Sequence, residues 1–330
     1  MDCLPWIATI SRGHRGRASC LGLATAACLA LASCSSGSPH PLGKPTAVSI
    51  RAVTPVRSGV VDLDVSSPAV GRTAVRIILP RDYERRPSTR WPVLYLLHGC
   101  CDSYVSWARS SDVVHFFATR DVLVVMPDGG RVGFYSDWLR GPRWETFHLV
   151  ELVQLLQLHY RAGGVRAIAG VSMGGLGALD YAARHPGMFR AAASFSGIVD
   201  TRLSSSESAR YQRLVRANGA DPDELWGDPQ ADARRWAEHN PTDLAARLRG
   251  TRLFVSAGNG QPGPLDAGTT TSDLIEQSID AENLAFTARL RQLGIPATVD
   301  LYGDGTHNWP YWQREFHKAW PLLAQALGTN

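Results

Sequence analysis

Lysine is nearly absent from this chain: Lys44 and Lys318 stand against 32 arginines in 330 residues. The arginines form no stripe or cluster of the kind that tracks a phosphate backbone. Leaving out the first twenty residues, with Arg12, Arg15, Arg17 and Asp2, 31 basic and 29 acidic residues remain, and a nucleic-acid partner is excluded. Metal-binding patterns are missing too, for no CxxC or HExxH spacing occurs, and neither a metal nor a cofactor is expected. Cysteine is scarce: of six, Cys3, Cys20 and Cys28 fall in the first thirty residues and Cys34, Cys100 and Cys101 follow, which is no disulfide framework. Adjacent Cα atoms lie about 3.8 Å apart, shorter than disulfides prefer, so Cys100 and Cys101 are expected as two thiols. Long Pro-rich or charged runs and internal repeats are absent, so the body of the chain should fold around a sizeable core.

What is present begins with a targeting pattern. Arg12, Arg15 and Arg17 precede an apolar run from Cys20 to Ala32, too short to span a bilayer comfortably. The run ends in Leu31-Ala32-Ser33-Cys34, which resembles the lipobox of bacterial lipoproteins. That resemblance implies a signal peptide over residues 1–33, a lipidated Cys34 as lipid anchor and export to the outer face of the cytoplasmic membrane. The alternatives are simple cleavage with release, or an uncleaved anchor. Residues 34–47 then read as a polar Ser/Pro/Gly tether, and residues 48–330 as one catalytic domain.

Within that domain Val60 to Leu79 suggests a leading antiparallel pair of strands. Val93-Leu94-Tyr95-Leu96-Leu97 and Val122 to Met126 are short, continuously apolar runs, as buried parallel strands should be. Helical stretches are expected at 145–159, 273–293 and 309–327, with further strands at 165–169, 191–195, 253–256 and 297–302. Strands alternating with helices predict a mostly parallel sheet covered on both faces, and the polar segment 202–243 a helical insertion.

Gly170-Val171-Ser172-Met173-Gly174 fits the G-x-S-x-G nucleophile elbow, with a strand before it and a helix after it. A serine hydroxyl needs a base, and here the partners should follow in the order serine, acid, histidine. Downstream of the elbow lie His185, His239, His307 and His317. His185 sits at a helix end, His239 before Asn-Pro and His317 within the last helix. His307 alone occupies a loop after a late strand, where a catalytic histidine must be. By order the acid could be Asp200, Asp266, Asp273, Glu276, Asp280 or Glu282.

Several stretches along the mature chain resemble the esterase branch of the α/β-hydrolases, and within it the mycobacterial antigen 85 mycolyltransferases. They include Phe134-Tyr135-Ser136-Asp137-Trp138, Trp144-Glu145-Thr146-Phe147, Trp226-Gly227, Asn240-Pro241-Thr242, Gly258-Asn259-Gly260 and Gly305-Thr306-His307-Asn308-Trp309. The resemblance implies an α/β-hydrolase fold and a serine esterase or acyltransferase. It also implies Glu276 as the acid, from its spacing to Asn283-Leu284-Ala285-Phe286, with Asp273 next. It places backbone N–H groups of Cys100 and Met173 in the oxyanion hole, and His98 and Trp309 beside the substrate.

Two departures stand out. Where the trehalose-using transferases carry Asp-Gly-Leu-Arg, this chain has His98-Gly99-Cys100-Cys101, and Gly174 replaces their alanine. The sugar contacts are lost, which favours hydrolysis of acyl esters over transfer to trehalose. A cell-envelope location points to lipid or glycolipid esters. The rivals are an acyltransferase using a sugar or glycerol acceptor and a non-catalytic envelope adhesin. The sequence is silent on oligomeric state.

Overall fold

The computed structural model describes residues 47–329; the expected signal peptide, Cys34 and all but the last residue of the tether lie outside them. Nine strands form one sheet in the order β1-β2-β3-β5-β4-β6-β7-β8-β9. They are β1 (Ser49–Arg57), β2 (Val60–Ser67), β3 (Gly71–Ile78), β4 (Trp91–Leu97), β5 (Leu123–Pro127), β6 (Ala162–Val171), β7 (Ala191–Phe195), β8 (Arg252–Ala257) and β9 (Thr298–Leu301). The pairs from β1 to β3, and β3 with β5, are antiparallel, whereas β5-β4-β6-β7-β8-β9 run parallel.

The expected leading pair is β2 and β3, and β1 is added outside it. Most of β1 is solvent-exposed and shows no alternation of apolar and polar residues, so periodicity could not announce it. The apolar runs at 93–97 and 122–126 became β4 and β5, buried because helices cover both faces. One core cluster joins the elbow helix (Met173–Arg184) and the long helix (Leu274–Gln292) to one face. The other packs Trp107, Phe117, Phe316 and Trp320 under the closing helix (Trp309–Leu327). The expected helix at 145–159 starts at Trp144 and passes through a π turn at Phe147–Glu151.

The segment 202–243 is helical as expected. Its main element is the insertion helix Ser205–Ala217, capped by the Ser204 side chain accepting from the Glu207 N–H. Trp226 pins the rest of the insertion: fully buried, it donates to Ser136 Oγ at 3.0 Å and stacks on His239 at 5.3 Å.

Candidate active site

Parallel strands deliver their C-terminal ends to one edge of the sheet, and the predicted residues converge there. Ser172 sits between β6 and the elbow helix at φ 54, the left-handed region that a side-chain-bearing residue rarely holds. The flanking glycines make this turn possible. A Cβ on Gly170 would lie 2.0 Å from the Gly174 carbonyl oxygen, and one on Gly174 2.4 Å from the Leu97 oxygen. The Ser172 side chain does not cap the helix it precedes, so its hydroxyl is not spent on the backbone.

The long helix brings Glu276, the expected acid, to His307. Asp273 caps the helix, accepting from the N–H groups of Ile275 (2.9 Å) and Glu276 (3.2 Å). Its other oxygen accepts from the backbone N–H of His307 at 2.9 Å, tying the histidine loop to the helix start. Glu276, in the first turn, is fully buried. Its Oε1 accepts from Ser196 Oγ and from the Gly258 N–H, each at 2.7 Å. Its Oε2 meets Nδ1 of His307 at 2.6 Å.

Below His307, Asp266 clasps the loop. It accepts from Thr306 (2.5 Å), Asn308 (2.9 Å), Tyr311 (2.8 Å) and the Gly263 N–H (2.8 Å). Burial opposes ionisation of this carboxyl, but those donors hold it below its ordinary value. The His307 ring stands edge-on to Trp312 at 4.9 Å.

Ser172 and His307 line one cleft of about 670 Å³, together with Cys100, Cys101 and Trp309. Ile198, Leu214 and Ile279 give it an apolar wall. Arg81, Arg86, Arg90 and Arg120 line another hollow of about 760 Å³ beside the first residue of β4, and it holds none of the predicted residues.

None of the remaining candidate acids is bonded to His307. Glu282 is buried among the N–H groups of Val199 (3.0 Å) and Asp200 (3.1 Å), the Tyr211 hydroxyl and Arg210. Asp200 accepts from Asn240 at 3.0 Å, and Asp280 is only half-buried on the long helix. The other histidines are likewise engaged: His185 with Glu145 at 2.6 Å, His239 with Asp180 at 3.2 Å and His317 with Asp112 at 3.0 Å.

Met173 is the first residue of the elbow helix, where N–H groups lack intrahelical acceptors and the helix dipole favours negative charge. Cys100 follows Gly99, whose position is so close to the elbow serine that a Cβ there would lie 3.3 Å from Ser172 Cβ. Two expectations need correction. His98 does not line the cleft: it is 1% exposed, and both ring nitrogens are used. Nε2 accepts from the Gly129 N–H at 2.8 Å, which leaves Nδ1–H to donate to the Gly99 oxygen at 2.8 Å. It braces the loop instead. Cys100 and Cys101 are not two thiols but are bonded to each other. Cys101 holds the left-handed backbone region, at φ 67.

Trp309 does line the cleft, edge-on to Trp107 and Trp312 at 5.2 Å each. Nothing in the sequence singled out Ser196, which donates to Glu276, or Tyr135, whose hydroxyl donates to the His98 oxygen at 2.8 Å. Tyr135 lay inside a motif that marked the family without assigning it a task. Ser196, directly after a buried strand, carried no signal of its own. Among the described residues no group of three or more His, Cys, Asp or Glu side chains is arranged to hold a metal ion.

A family model described as "Putative esterase" matches residues 67–323. The chain is 31% identical over 283 residues to the diacylglycerol acyltransferase/mycolyltransferase Ag85A of Mycobacterium leprae, covering 81% of this chain and 83% of that protein. To Ag85B of Mycobacterium intracellulare it is 31% identical over 255 residues, 72% of this chain and 76% of that one. Among solved structures, MPT51 of Mycobacterium tuberculosis superposes with a TM-score of 0.67 at 25% identity, covering 80% of this chain and 97% of that one. A ferulic acid esterase superposes with a TM-score of 0.60 at 24% identity, over 81% and 98% of the two chains, and shows the shared fold. This chain therefore belongs to the family described as "Putative esterase", with the α/β-hydrolase fold, and is an ester-hydrolysing or acyl-transferring enzyme.

Proposed function

We propose that the enzyme hydrolyses acyl esters through a Ser172–His307–Glu276 triad and an acyl-enzyme. The observation that carries this reading is the 2.6 Å contact between His307 Nδ1 and the buried Glu276, at the cleft that also contains the elbow serine. His307 Nε2 takes the hydroxyl proton as Ser172 Oγ attacks the ester carbonyl, and Glu276 orients and stabilises the imidazolium. The N–H groups of Cys100 and Met173 hold the oxyanion, whose charge exists only in the transition state and intermediate. His307 then passes its proton to the departing alkoxide. Water, activated by the same histidine, attacks the acyl-enzyme and releases the acid.

The apolar wall of Ile198, Leu214 and Ile279 suits an acyl chain, and lipid or glycolipid esters are the proposed substrates. We place the enzyme outside the cytoplasmic membrane, tethered by a lipidated Cys34; Cys34→Ala should release it to the medium, and unchanged retention would refute the anchor. Transfer to a sugar or glycerol hydroxyl is the alternative fate of the same acyl-enzyme, supported by the names of the Ag85 relatives.

The test follows p-nitrophenyl esters from acetyl to palmitoyl, with and without glycerol or trehalose, beside Ser172→Ala. Serine-dependent release that ignores acceptors identifies a hydrolase, and acceptor-dependent release a transferase. Equal turnover by wild type and variant would overturn the triad.

A further inference from the structure

We propose that the Cys100–Cys101 disulfide is a positioning device for the oxyanion hole, and that its reduction slows the reaction. The inference rests on the reading of Ser172 as nucleophile and of the Cys100 N–H as one oxyanion donor.

Both cysteines line the cleft beside Ser172. A bond between neighbouring cysteines closes an eight-membered ring that contains the 100–101 peptide, so rotation about Cα–C of Cys100 and N–Cα of Cys101 is coupled. The ring therefore fixes Cys100 Cα, the atom to which the Gly99–Cys100 peptide and its N–H are joined. Cys101 stands at φ 67, a region that a residue with a side chain readily leaves when nothing holds it there.

The two sides of this stretch are held differently. Upstream, the His98 ring is fixed by Gly129 and Gly99, and the His98 oxygen by Tyr135. Downstream, the Cys101 N–H donates to the Arg131 oxygen at 2.7 Å, and Asp102 pairs with exposed Arg109 at 2.5 Å. Among the described residues the Cys100 N–H makes no hydrogen bond, as a donor reserved for a transient oxyanion should not. The Gly99–Cys100 peptide is thus held at one end through the Gly99 oxygen, and the ring holds Cys100 Cα at the other; the two together set the direction of that N–H. A donor displaced by about 1 Å can cost on the order of a hundredfold in rate.

Both residues are half-buried at the cleft, within reach of a small dithiol. One reagent thiolate attacks a cysteine sulfur; the Cys100–Cys101 bond breaks and a mixed disulfide forms. The second reagent thiolate displaces that cysteine. Two electrons and two protons pass to the protein as two thiols, and the reagent leaves as its cyclic disulfide.

The experiment treats the full-length enzyme with dithiothreitol, removes the reagent, and measures kcat and KM on a p-nitrophenyl ester before and after reoxidation. Differential alkylation and mass spectrometry of the peptide holding residues 100 and 101 report its redox state. The expected result is a fall in kcat of about tenfold or more with KM little changed, as befits a donor that acts in the transition state. Reoxidation should restore the rate. Cys100→Ala/Cys101→Ala should be slow from the start and indifferent to dithiothreitol.

An undiminished kcat in protein shown to be reduced would overturn the inference, as would two free thiols in untreated, active enzyme. Loss of activity on reduction in the double variant would place the effect elsewhere. If that variant does not fold, the reduction and reoxidation of the native chain decide. Turnover that survives Ser172→Ala would defeat the underlying triad; turnover that needs Ser172 but ignores the redox state would defeat this inference alone.

Discussion

Replacing Glu276 by glutamine changes one oxygen for an amide nitrogen in a site that offers that nitrogen no good place. On one side the carboxylate receives two donors, Ser196 Oγ and the Gly258 N–H; on the other it faces Nδ1 of His307. If the amide oxygen keeps the first pair, the NH2 points at Nδ1 and drives the ring into the tautomer protonated at Nε2. That tautomer cannot accept the Ser172 proton. If the oxygen turns to His307, the NH2 confronts the Gly258 N–H in a fully buried setting, at a cost of about 1–3 kcal/mol for an unsatisfied group.

The first arrangement avoids that cost, so Glu276→Gln should fold and lose its base. The equivalent change in a serine protease lowers turnover about 10⁴-fold, and about 10³- to 10⁴-fold is expected here, or about 4–5.5 kcal/mol of transition-state stabilisation. The measurement is kcat/KM on a p-nitrophenyl ester, with thermal unfolding to confirm a native variant. A folded Glu276→Gln enzyme within about tenfold of wild type would refute the role given to Glu276.

Three further outcomes follow from the geometry. Burial pushes the Glu282 carboxyl up to about 8, although Tyr211, the Asp200 N–H and Arg210 each pull it down. The native state then keeps a proton that the unfolded chain has lost, so this group's contribution is present below the ordinary carboxyl range and disappears as pH rises toward 8. The wild-type Tm should therefore fall relative to that of Glu282→Gln between pH 5 and 8; parallel curves would contradict the assignment. Leu214→Trp narrows the cleft from the insertion helix and should move the acyl-length optimum to shorter esters, whereas an unchanged optimum would put the acyl chain elsewhere. Trp226→Ala removes a fully buried ring and orphans the Ser136 contact, and urea unfolding should show a loss of about 3–5 kcal/mol.

Much of the site was legible because its chemistry imposes local rules. An elbow needs glycines at Gly170 and Gly174 because backbone from the same turn and from β4 occupies the space of any Cβ. His307 could be singled out by chain order and by the loop that follows a late strand. Glu276 was different. Six acids satisfied the order, and family spacing chose among them; the structure then gave four of the others their own partners, such as Asp273 at the helix cap and Asp266 in the loop clasp. His98 misled because a histidine beside an oxyanion loop reads as a substrate contact, and only folding brings Gly129 and the Gly99 oxygen to its two nitrogens.

Cys100 and Cys101 misled for a related reason. The short Cα separation of adjacent residues argued for two thiols, whereas the structure bonds the two sulfurs at 3.8 Å between Cα atoms, with Cys101 in the left-handed region. Strand β1 was invisible because it lies outermost, where little burial imposes an alternating pattern.

The sequence by itself determined the α/β alternation, the helical insertion, and the elbow serine and loop histidine proposed as nucleophile and base, since each depends on residues close together in the chain. Tertiary structure alone decided what the buried polar groups do. The hold of Ser196 and Gly258 on Glu276, the bracing of His98 and the apolar wall from Ile198, Leu214 and Ile279 join residues remote in sequence. A buried donor or acceptor must find a partner somewhere, and that requirement does not specify where along the chain the partner lies.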